Sequence, residues 1–423
     1  MLEKATIYVH LSSKKKKNEP GMPRVLRIIN RFNIGGPTYN AAYLTKHLLP
    51  DYKTLLVGGS IDEGEESSDY ILHDLGIRPL LIPEMQRSVK YNGDWIAYYK
   101  LKEIIKRFKP DIVHTHASKP GALGRWAAYK CGVPVIVHTF HGHVFHSYFN
   151  RLKTELVKQA ERRMAAVSTK IIALSDMQKY ELSDIHHICE AEKISVIPLG
   201  FDLSRFREDT EEKRDKFRIH YRIDEHEIAV GIVGRLVSIK NHELFIQSIR
   251  HVKQHTKKPI RAFVIGDGER RDELIRKCLE CGLTVSVFPS QSKADVTFTS
   301  WIKEVDYAMA GLDLVCLTSL NEGTPVSLIE AQATSRCVLS TQVGGVENVV
   351  SNHYTGLLAQ TNEAYMASML RLVNDDDLRT HLASHGWEHV RQNYHYTRLV
   401  SDVRQMYDEL LERKKVYHHQ YQV

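Results

Sequence analysis

Residues 229–241 read AVGIVGRLVSIKN, and this stretch decides the fold class. Its first five residues form a short apolar run rich in β-branched side chains, which is typical of a buried strand. Gly234 ends the run, and a helical pattern begins near Asn241. A strand, a turn and a helix in this order form the start of a βαβ unit, so the stretch predicts a parallel sheet.

The same alternation extends in both directions along the chain. C-terminal to this stretch, strand patterns occur at 262–265, 296–298, 314–317 and 338–340, and helical patterns begin near Glu269 and after Thr324. N-terminal to it, strand patterns occur at 25–29, 54–57, 111–113, 135–137 and 171–174, a further strand ends at 197–200, and helical patterns occur at 94–108 and from Gly121 and Ser147. Such alternation predicts an α/β protein with two Rossmann-like, doubly wound parallel-sheet domains.

The domain limits follow from one change in composition. Residues 202–226 are highly charged and have no clear apolar period, so we expect a hinge at 201–226. The other predicted units are a flexible basic arm at 1–21, an N-terminal domain at 22–200, a C-terminal domain at 227–394, and a helix and tail at 395–423 that return to the N-terminal domain. Ligands of open parallel sheets bind beyond the carboxyl ends of the strands, so the site is expected in the cleft between the domains.

Composition narrows the class of protein. Of the 423 residues, 43% are hydrophobic and 26% are charged, as in ordinary globular proteins. The net charge of +7 is too small an excess to predict nucleic-acid binding. No apolar run approaches the ~20 residues of a membrane span, and no signal-peptide pattern occurs, so we expect a cytoplasmic protein. The lysines at 14–17 predict a solvated tail, with peripheral contact to the anionic inner face of the plasma membrane as the alternative.

Two loops after predicted strands suit a phosphate group. In GRLVSIKN at 234–241, the planar guanidinium of Arg235 can bind two phosphate oxygens at once. The ammonium of Lys240 adds a point charge beside a helix N-terminus. Gly35 and Gly36 follow the first strand, where glycines let backbone N–H groups approach an anion. Each loop alone is also compatible with an ordinary solvated turn. Gly35 and Gly36 are not part of a G-x-G-x-x-G fingerprint, and the Gly-Asp-Gly at 266–268 has Arg271 where the third glycine belongs, so NAD binding is not expected.

A third strand end carries two acids in EGTPVSLIE at 322–330. We expect a helix to start at Thr324 and Pro325, which leaves Glu322 in the loop and Glu330 about two turns into the helix, facing the same cleft. The alternative is that Glu322 only complements the helix N-terminus and that Glu330 is an exposed helical residue.

Histidines cluster after a predicted strand in HTFHGH at 138–143, with His146 beyond. No carboxylate or cysteine stands at metal-ligand spacing beside them, so we expect no metal, and a single hydrogen-bonding histidine in the cleft. The aspartates at 375–377 formally contain the D-x-D of metal-dependent sugar transferases. They also begin a helical pattern, and helix capping explains them better.

Together these segments resemble the retaining glycosyltransferases of family 4, which have the GT-B fold. The resemblance covers roughly residues 24–400 and includes, in family order, the glycine-rich first turn, HTFHG at 138–142, IPLGFD at 197–202, GRLVSIKN, the Gly-Asp-Gly turn and SLNEGTPVSLIE at 319–330. The E-x7-E pair combined with the R-x4-K pair is specific, whereas either pair alone would not be. The resemblance is strongest to bacterial members that build cell-surface polysaccharide.

The resemblance implies roles for the candidate residues of the C-terminal half. Arg235 and Lys240 match the pair that neutralises the leaving diphosphate, and Glu330 matches the acid that binds ribose. Glu322 matches the start of the segment that positions the donor sugar. The donor-binding residues that follow it in this segment are Gly323, Thr324 and Val326.

In the N-terminal half, His141 matches the histidine near the reacting sugar, and Gly35 and Gly36 match the loop that reaches the donor phosphates. The residues expected to be catalytic are His141, Glu322, Arg235 and Lys240. Family members need neither a metal nor another cofactor, because the cations and the helix dipole take up the developing charge.

The sequence departs from the family pattern at three places. Ser300 replaces a glycine before Trp301, and the residues at 334–337 replace the usual glycine and proline after the second glutamate. Pro325 fills a position that is glycine in many members. We expect the helix after Thr324 to end near residues 333–334 and Ser335 to take the left-handed conformation of the family's glycine.

The resemblance implies a metal-independent enzyme that moves a hexose-type sugar from a nucleotide diphospho-sugar to a lipid-linked or soluble acceptor, with retention at the anomeric carbon. UDP is expected because it is frequent in the family. Two alternatives remain open: a GT-B sugar-nucleotide epimerase or hydrolase, and a non-catalytic protein that binds nucleotide-sugars. The three activities differ in what happens to the sugar: a transferase moves it to an acceptor, an epimerase or hydrolase alters the donor without an acceptor, and a binding protein only binds it.

Overall fold

The computed structural model describes residues 21–32, 36–60, 68–85, 91–141, 151–290 and 292–420. The predictions for the lysines at 14–17 and for Gly35, His143 and His146 lie outside the described residues. Two seven-stranded sheets organise the chain, and all strand pairs within them are parallel. The predicted α/β architecture is confirmed.

The N-terminal sheet has the strand order β3-β2-β1-β4-β5-β6-β7. Its strands are β1 (Arg24–Arg31), β2 (Lys53–Gly59), β3 (Leu80–Leu81), β4 (Ile112–His116), β5 (Val135–Thr139), β6 (Lys170–Ala173) and β7 (Ile194–Val196). Its helices are α1 (Gly36–His47), α2 (Asp69–Asp74), α3 (Tyr91–Phe108), α4 (Ser118–Lys130), α5 (Arg151–Val167) and α6 (Asp176–Tyr180), with a π-helical turn at Glu181–Ile185 and a 3-10 turn at Ala191–Lys193. The strand predicted to end at 197–200 stops earlier, at Val196.

The C-terminal sheet has the strand order β10-β11-β9-β8-β12-β13-β14. Its strands are β8 (Ile228–Val233), β9 (Ile260–Ile265), β10 (Val285–Val287), β11 (Val296–Ser300), β12 (Leu314–Leu317), β13 (Cys337–Thr341) and β14 (Gly356–Ala359). Its helices are α7 (Thr210–His220), α8 (His242–His255), α9 (Arg271–Glu280), α10 (Val305–Gly311), α11 (Val326–Ala333), α12 (Val346–Val349), α13 (Asn362–Asn374) and α14 (Asp376–Tyr394), with 3-10 turns at Ser204–Phe206 and Ser238–Lys240. Every residue of β9 and β12 is buried, as expected for strands covered on both faces.

Helix α7 lies within the segment predicted to be a hinge. Its Phe217 is fully buried and packs edge-on against Phe263 of β9, with ring centroids 5.4 Å apart. Arg214 and Arg218 both pair with Asp313, at 2.7 and 3.2 Å, just before β12. Much of the predicted hinge is therefore a helix that is fixed to the C-terminal sheet.

The last helix, α15 (Tyr396–Gln420), follows α14 and packs against the N-terminal half. Its Leu399, Val403 and Tyr407 share one apolar cluster with Val25 of β1 and Leu44 of α1. The chain therefore crosses back to its first sheet after completing the second one. Among the described helices, none is long and apolar enough to cross a lipid bilayer.

Both serines that replace family glycines have a left-handed backbone. The φ angle is +54° at Ser335, as predicted, and +59° at Ser300. Helix α11 ends at Ala333, also as predicted. Each serine hydroxyl makes a hydrogen bond: Ser335 Oγ accepts from Arg207 Nη1 at 2.8 Å, and Ser300 Oγ donates to Asp267 Oδ2 at 2.9 Å. These bonds offset part of the cost of the left-handed conformation.

We expect Ser335→Gly to be more stable than Ser335→Ala by about 1 kcal/mol, since a side chain with Cβ costs roughly that much in the left-handed region. Both variants lose the hydrogen bond to Arg207, so their difference isolates the backbone term. Relative to the wild type, Ser335→Gly should gain no more than ~1 kcal/mol. Urea denaturation of the three proteins measures these free energies. Equal stabilities of the glycine and alanine variants would contradict the backbone argument.

Candidate active site

Lys240 and Glu322 form an ion pair at the carboxyl edge of the C-terminal sheet. Their loops follow β8 and β12, which are neighbours in the sheet. Lys240 Nζ lies 2.5 Å from Glu322 Oε1, and Ser319 Oγ donates to the same oxygen at 2.5 Å. The backbone N–H of Leu320 donates to the carbonyl of Ile239 at 2.9 Å and ties the two loops together. Two of the predicted catalytic residues, 82 positions apart, therefore meet in one place.

The backbone of Glu322 and Gly323 rests on a loop that the sequence analysis did not select. The N–H of Gly345 donates to the carbonyl of Glu322 at 2.9 Å. A Cβ at Gly345 would clash with the carbonyl oxygen of Gly323, so only glycine permits this approach. The signal in the sequence is the Gly-Gly pair at 344–345, which follows β13 as Gly35 and Gly36 follow β1.

The loop that carries Arg235 is supported by the Gly-Asp-Gly turn. The N–H of Leu236 donates to the carbonyl of Asp267 at 3.0 Å, and the N–H of Arg270 donates to the carbonyl of Leu236 at 3.1 Å. At Gly266 a Cβ would clash with the carbonyl oxygen of Gly234. The turn at 266–268 thus holds the loop in place, while the side chain of Arg235 is left exposed to solvent.

Glu330 lies on α11 and is largely buried. Because α11 begins at Val326, Glu330 is about one turn into the helix, and not two turns as predicted from a start at Thr324. Burial raises the pKa of Glu330 to about 7, and the nearby Arg205 opposes this rise. Arg205 Nη2 approaches Glu330 Oε1 to 4.0 Å.

Arg205 is a residue that the sequence analysis missed. It belongs to the 3-10 turn Ser204–Phe206, between the two sheets in the chain. Tyr39 of α1 packs near this turn, with its ring 6.3 Å from that of Phe201. The sequence gives no direct signal for Arg205, since its partner Glu330 is 125 positions further along the chain. The predicted ribose-binding acid therefore lies next to the connection between the two halves.

The segment between Glu322 and Glu330 places the start of α11 beside the Lys240–Glu322 pair. Pro325 is buried and is the N-cap of α11, so the first free backbone N–H of the helix belongs to Val326. Thr324 and Val326 are half-buried, and Gly323 is exposed. An anion or a sugar oxygen at this helix start would meet unpaired N–H groups.

His141 lies two residues beyond β5 and contacts His116 at the end of β4. Its Nε2 is 2.9 Å from His116 Nδ1, and its Nδ1 is buried with no hydrogen-bond partner among the residues that the structure describes. Burial lowers the pKa of His141 to about 3, and the pKa values of His114, His116 and His138 also lie well below the ordinary value because these rings are buried. All four rings are therefore neutral near pH 7.

Within the part of the chain that the structure describes, no group of three or more histidine, cysteine, aspartate or glutamate residues is placed to hold a metal ion.

The aspartates at 375–377 cap a helix, as predicted: Asp375 is the N-cap of α14 and accepts from the N–H of Leu378 at 2.8 Å. Gly36 is the first residue of α1, at the carboxyl end of β1.

Two family models match the chain, one in each half. "Glycosyltransferase Family 4" matches residues 34–205, and "Glycosyl transferases group 1" matches residues 213–389. Together they cover every strand of the two sheets except β1, and they include Lys240, Glu322 and His141.

Individual proteins agree with the family models. The chain is 27% identical, over 82% of its length and 87% of the relative's, to the UDP-Gal:alpha-D-GlcNAc-diphosphoundecaprenol alpha-1,3-galactosyltransferase of Escherichia coli. It is 22% identical, over 78% of its length and 85% of the relative's, to the capsular polysaccharide biosynthesis glycosyltransferase CapM of Staphylococcus aureus.

Solved structures show the same fold. HepE of Anabaena, crystallised with UDP and glucose, superposes with a TM-score of 0.73 at 17% identity and covers 92% of this chain and 100% of its own. WaaG, a glycosyltransferase involved in lipopolysaccharide biosynthesis, gives a TM-score of 0.64 at 18% identity and covers 89% of this chain and 98% of its own. These structures and the two parallel sheets show that the chain has the GT-B fold. The two family models show that the chain belongs to family 4 of the glycosyltransferases, whose relatives named here act in the biosynthesis of surface polysaccharide and glycoconjugates.

Proposed function

We propose that this glycosyltransferase moves a sugar from a nucleotide diphospho-sugar, with UDP as the nucleotide, to a lipid-linked or soluble acceptor, and that the anomeric configuration is retained. The observation that carries the proposal is the Lys240–Glu322 pair at 2.5 Å, beside the exposed Arg235 and the start of α11. A diphosphate needs cations and free N–H groups, and both converge at this edge of the sheet.

In this proposal the donor lies on the C-terminal sheet. Arg235 and Lys240 neutralise the diphosphate as it leaves, so that negative charge develops beside fixed cations in place of water. Lys240 contacts Glu322 in the structure, and it would exchange this contact for a phosphate oxygen when the nucleotide-sugar binds. Glu330 would accept hydrogen bonds from the ribose hydroxyls, and Glu322 would then be free to hold the sugar.

The acceptor and His141 lie on the N-terminal side in this proposal. His141 is neutral and offers a hydrogen bond near the reacting sugar, and Gly35 and Gly36 would bring backbone N–H groups to the donor phosphates. The named relatives support the substrate classes: the E. coli relative is named for a UDP-sugar donor and a diphosphoundecaprenol-linked acceptor, and HepE was crystallised with UDP-glucose.

A panel of UDP- and GDP-sugars tests this function. Incubation with and without polyprenyl-diphosphate-linked and free sugar acceptors, followed by mass spectrometry, separates the three classes of activity. A transferase yields a glycosylated acceptor, an epimerase or hydrolase changes the donor without acceptor, and a binding protein changes neither. NMR of the product's anomeric proton then reports retention or inversion. Inversion, or donor turnover that ignores every acceptor, would overturn the proposal.

We expect transfer to survive EDTA. The cations Arg235 and Lys240 and the N-terminus of α11 supply the positive charge that a metal would otherwise bring to the diphosphate. The measurement is the initial rate of transfer after exhaustive dialysis, with EDTA in large excess over any trace metal. A rate that collapses in EDTA and returns with Mn²⁺ or Zn²⁺ would restore the alternative of a histidine-bound metal.

Peripheral contact with the inner face of the plasma membrane is also part of the proposal, and α3 supports it. Trp95 and Tyr99 are 61% and 60% exposed and stack on one face of the helix, while Lys102 lies over the ring of Tyr98. Aromatic rings beside lysines are typical of surfaces at a lipid interface. Co-sedimentation with vesicles should increase with anionic lipid and fall in W95A/Y99A. It should not fall in the control I219A, which removes an exposed side chain from α7.

A further inference from the structure

Arg205 approaches the carboxylate of Glu330 without binding it directly. Arg205 Nη2 lies 4.0 Å from Glu330 Oε1, a distance at which charges attract but which is too long for a hydrogen bond. The side chain of Glu330 is only 17% exposed, whereas that of Arg205 is 43% exposed. Among the residues that the structure describes, none donates a hydrogen bond to the Glu330 carboxylate. Both of its oxygens therefore remain available as acceptors.

Two further titratable groups lie close enough to interact with Glu330. Tyr39 of α1 is uncharged at neutral pH, because burial raises its pKa. Asp306 of α10 is negatively charged, but its Oδ2 lies 3.0 Å from Lys213 Nζ of α7, which offsets that charge. Arg205 is thus the group that acts on Glu330 in favour of its charged form.

The position of Arg205 is set by the turn that carries it. Its guanidinium lies over the ring of the buried Phe206, 4.9 Å from the ring centroid. The backbone carbonyl of Arg205 accepts a hydrogen bond from Lys213 Nζ at 2.7 Å. Because Lys213 belongs to α7, which is fixed to the C-terminal sheet, the turn holds Arg205 on the same side of the molecule as α11.

The distance of 4.0 Å suits an acid that must bind a neutral polar ligand. Burial disfavours the charged form of Glu330 and raises its pKa to about 7, and Arg205 opposes this rise. A carboxylate accepts stronger hydrogen bonds than a neutral carboxyl group. A cation bonded directly to the carboxylate would also favour its charge, but it would occupy an oxygen. Arg205 supplies the charge and leaves the oxygens free.

We propose that Arg205 is a positioning residue that favours the negative charge of Glu330 through space and leaves both carboxylate oxygens free for the hydroxyl groups of the donor's ribose. This inference rests on the proposed function, in which Glu330 binds the ribose of a nucleotide diphospho-sugar. In this role Arg205 acts on binding only through the ionisation of Glu330, so its effect depends on pH.

Carbon-13 NMR of glutamate-labelled protein measures this ionisation and needs neither UDP nor activity. The Glu330 carboxyl signal is assigned by its loss in Glu330→Gln and is followed against pH. We expect the Glu330 pKa of about 7 in the wild type to rise in Arg205→Met and to stay close to the wild-type value in Arg205→Lys, which keeps the charge. An equal or lower pKa in Arg205→Met would overturn the proposal.

The neighbouring Arg207 provides a matched control. It lies two residues further along the chain, and its guanidinium bonds to Ser335 Oγ at 2.8 Å instead of approaching Glu330. Arg207→Met removes the same side chain as Arg205→Met and should leave the Glu330 pKa unchanged. An equal rise in both variants would mean that the general charge of this region, and not Arg205, acts on the carboxyl group, and would overturn the proposal.

Calorimetry of UDP binding tests whether the charge of Glu330 matters for the nucleotide. At pH 7, Arg205→Met should bind UDP about fivefold more weakly, because losing an opposite charge at this distance shifts the ionisation equilibrium about tenfold towards the neutral form. The deficit should fall below about twofold at pH 9, where Glu330 is mostly ionised in either protein. Arg205→Lys and Arg207→Met should bind UDP like the wild type at both pH values.

The pH dependence separates this role from a structural one. A deficit of equal size at pH 7 and pH 9 would mean that Arg205 contacts UDP or supports the fold, and would overturn the proposal. In the Glu330→Gln background, Arg205→Met should not weaken UDP binding further, because the carboxylate through which Arg205 acts is gone. If the wild type does not bind UDP, the proposed function is overturned, and the Glu330 pKa in Arg205→Met still decides whether Arg205 sets the charge of this acid.

Discussion

Alanine in place of Lys240 should lower kcat by about 10²–10³. This factor corresponds to about 2.7–4 kcal/mol in the barrier and is the usual effect of removing one preorganised group that stabilises developing charge. Arg235→Ala should have an effect in the same range for the same reason. Steady-state kinetics with the donor varied measures both effects. Most of the loss is expected in kcat, because the charge on the leaving diphosphate grows in the transition state.

The structure supplies a matched control for the lysine. Lys258 also forms a close ion pair, at 2.6 Å with Asp376, but on a different part of the C-terminal half. Lys258→Ala should leave kcat unchanged, which separates a catalytic lysine from any paired lysine. Melting temperatures should stay close to wild type in all three variants, since partly exposed ion pairs contribute little to stability. Wild-type turnover in Arg235→Ala and Lys240→Ala would remove the charge-stabilisation argument.

The pattern of the sequence was sufficient to predict the fold. Period and composition locate β8 and β12, and the loop after each strand carries Lys240 or Glu322. That these two side chains touch follows only from the strand order, in which β8 and β12 are neighbours. Strand order depends on contacts between residues distant in sequence, so the sequence predicted two halves of a site and the structure joined them.

Helix α7 was missed because its stabilising contacts are not local. It has few apolar residues, and its charges read as a solvated linker. In the structure Arg214 and Arg218 pair with Asp313, about a hundred positions away, and Phe217 alone anchors the helix in the core. A charge run is usually solvated, and only the tertiary structure shows that these charges have partners.

His116 was missed for the opposite reason. It ends IVHTH at 112–116, where every residue is buried, and a histidine in such a run is expected to be a core residue. The neighbouring strand β5 is followed by His141, which lies 2.9 Å from His116. The signal available in the sequence was the H-x-H at the end of one strand, beside a second strand that carries His138 and is followed by His141.

The two glutamates of the E-x7-E segment should have different kinetic effects. Glu330→Gln should weaken donor binding by ~1.5–3 kcal/mol, because a charge-assisted hydrogen bond to ribose is lost equally in the ground and transition states. KM should rise with kcat nearly unchanged. Glu322→Gln should mainly lower kcat, since the proposed function places Glu322 beside the sugar, where the geometry changes during transfer. Steady-state kinetics, with melting temperatures alongside, distinguishes the two patterns.

The pKa of Glu330 adds a second test of the same role. Burial raises this pKa to about 7, so in the free enzyme the carboxyl is largely protonated below that pH. If the carboxylate is the form that accepts from ribose, UDP affinity should rise with pH up to about 7 and then level off. The phosphate groups of UDP also titrate, but they change the affinity in the same way for every variant. The difference between wild type and Glu330→Gln therefore isolates the carboxyl, and it should disappear at low pH.

The alternative for Glu322 is purely structural. A glutamate that only complements the N-terminus of α11 would contribute ~0.3–1 kcal/mol to stability and nothing to turnover. Kinetics and melting of E322Q test this alternative together. A lowered melting temperature with unchanged kcat and KM would leave Glu322 as a structural link between the β8 and β12 loops.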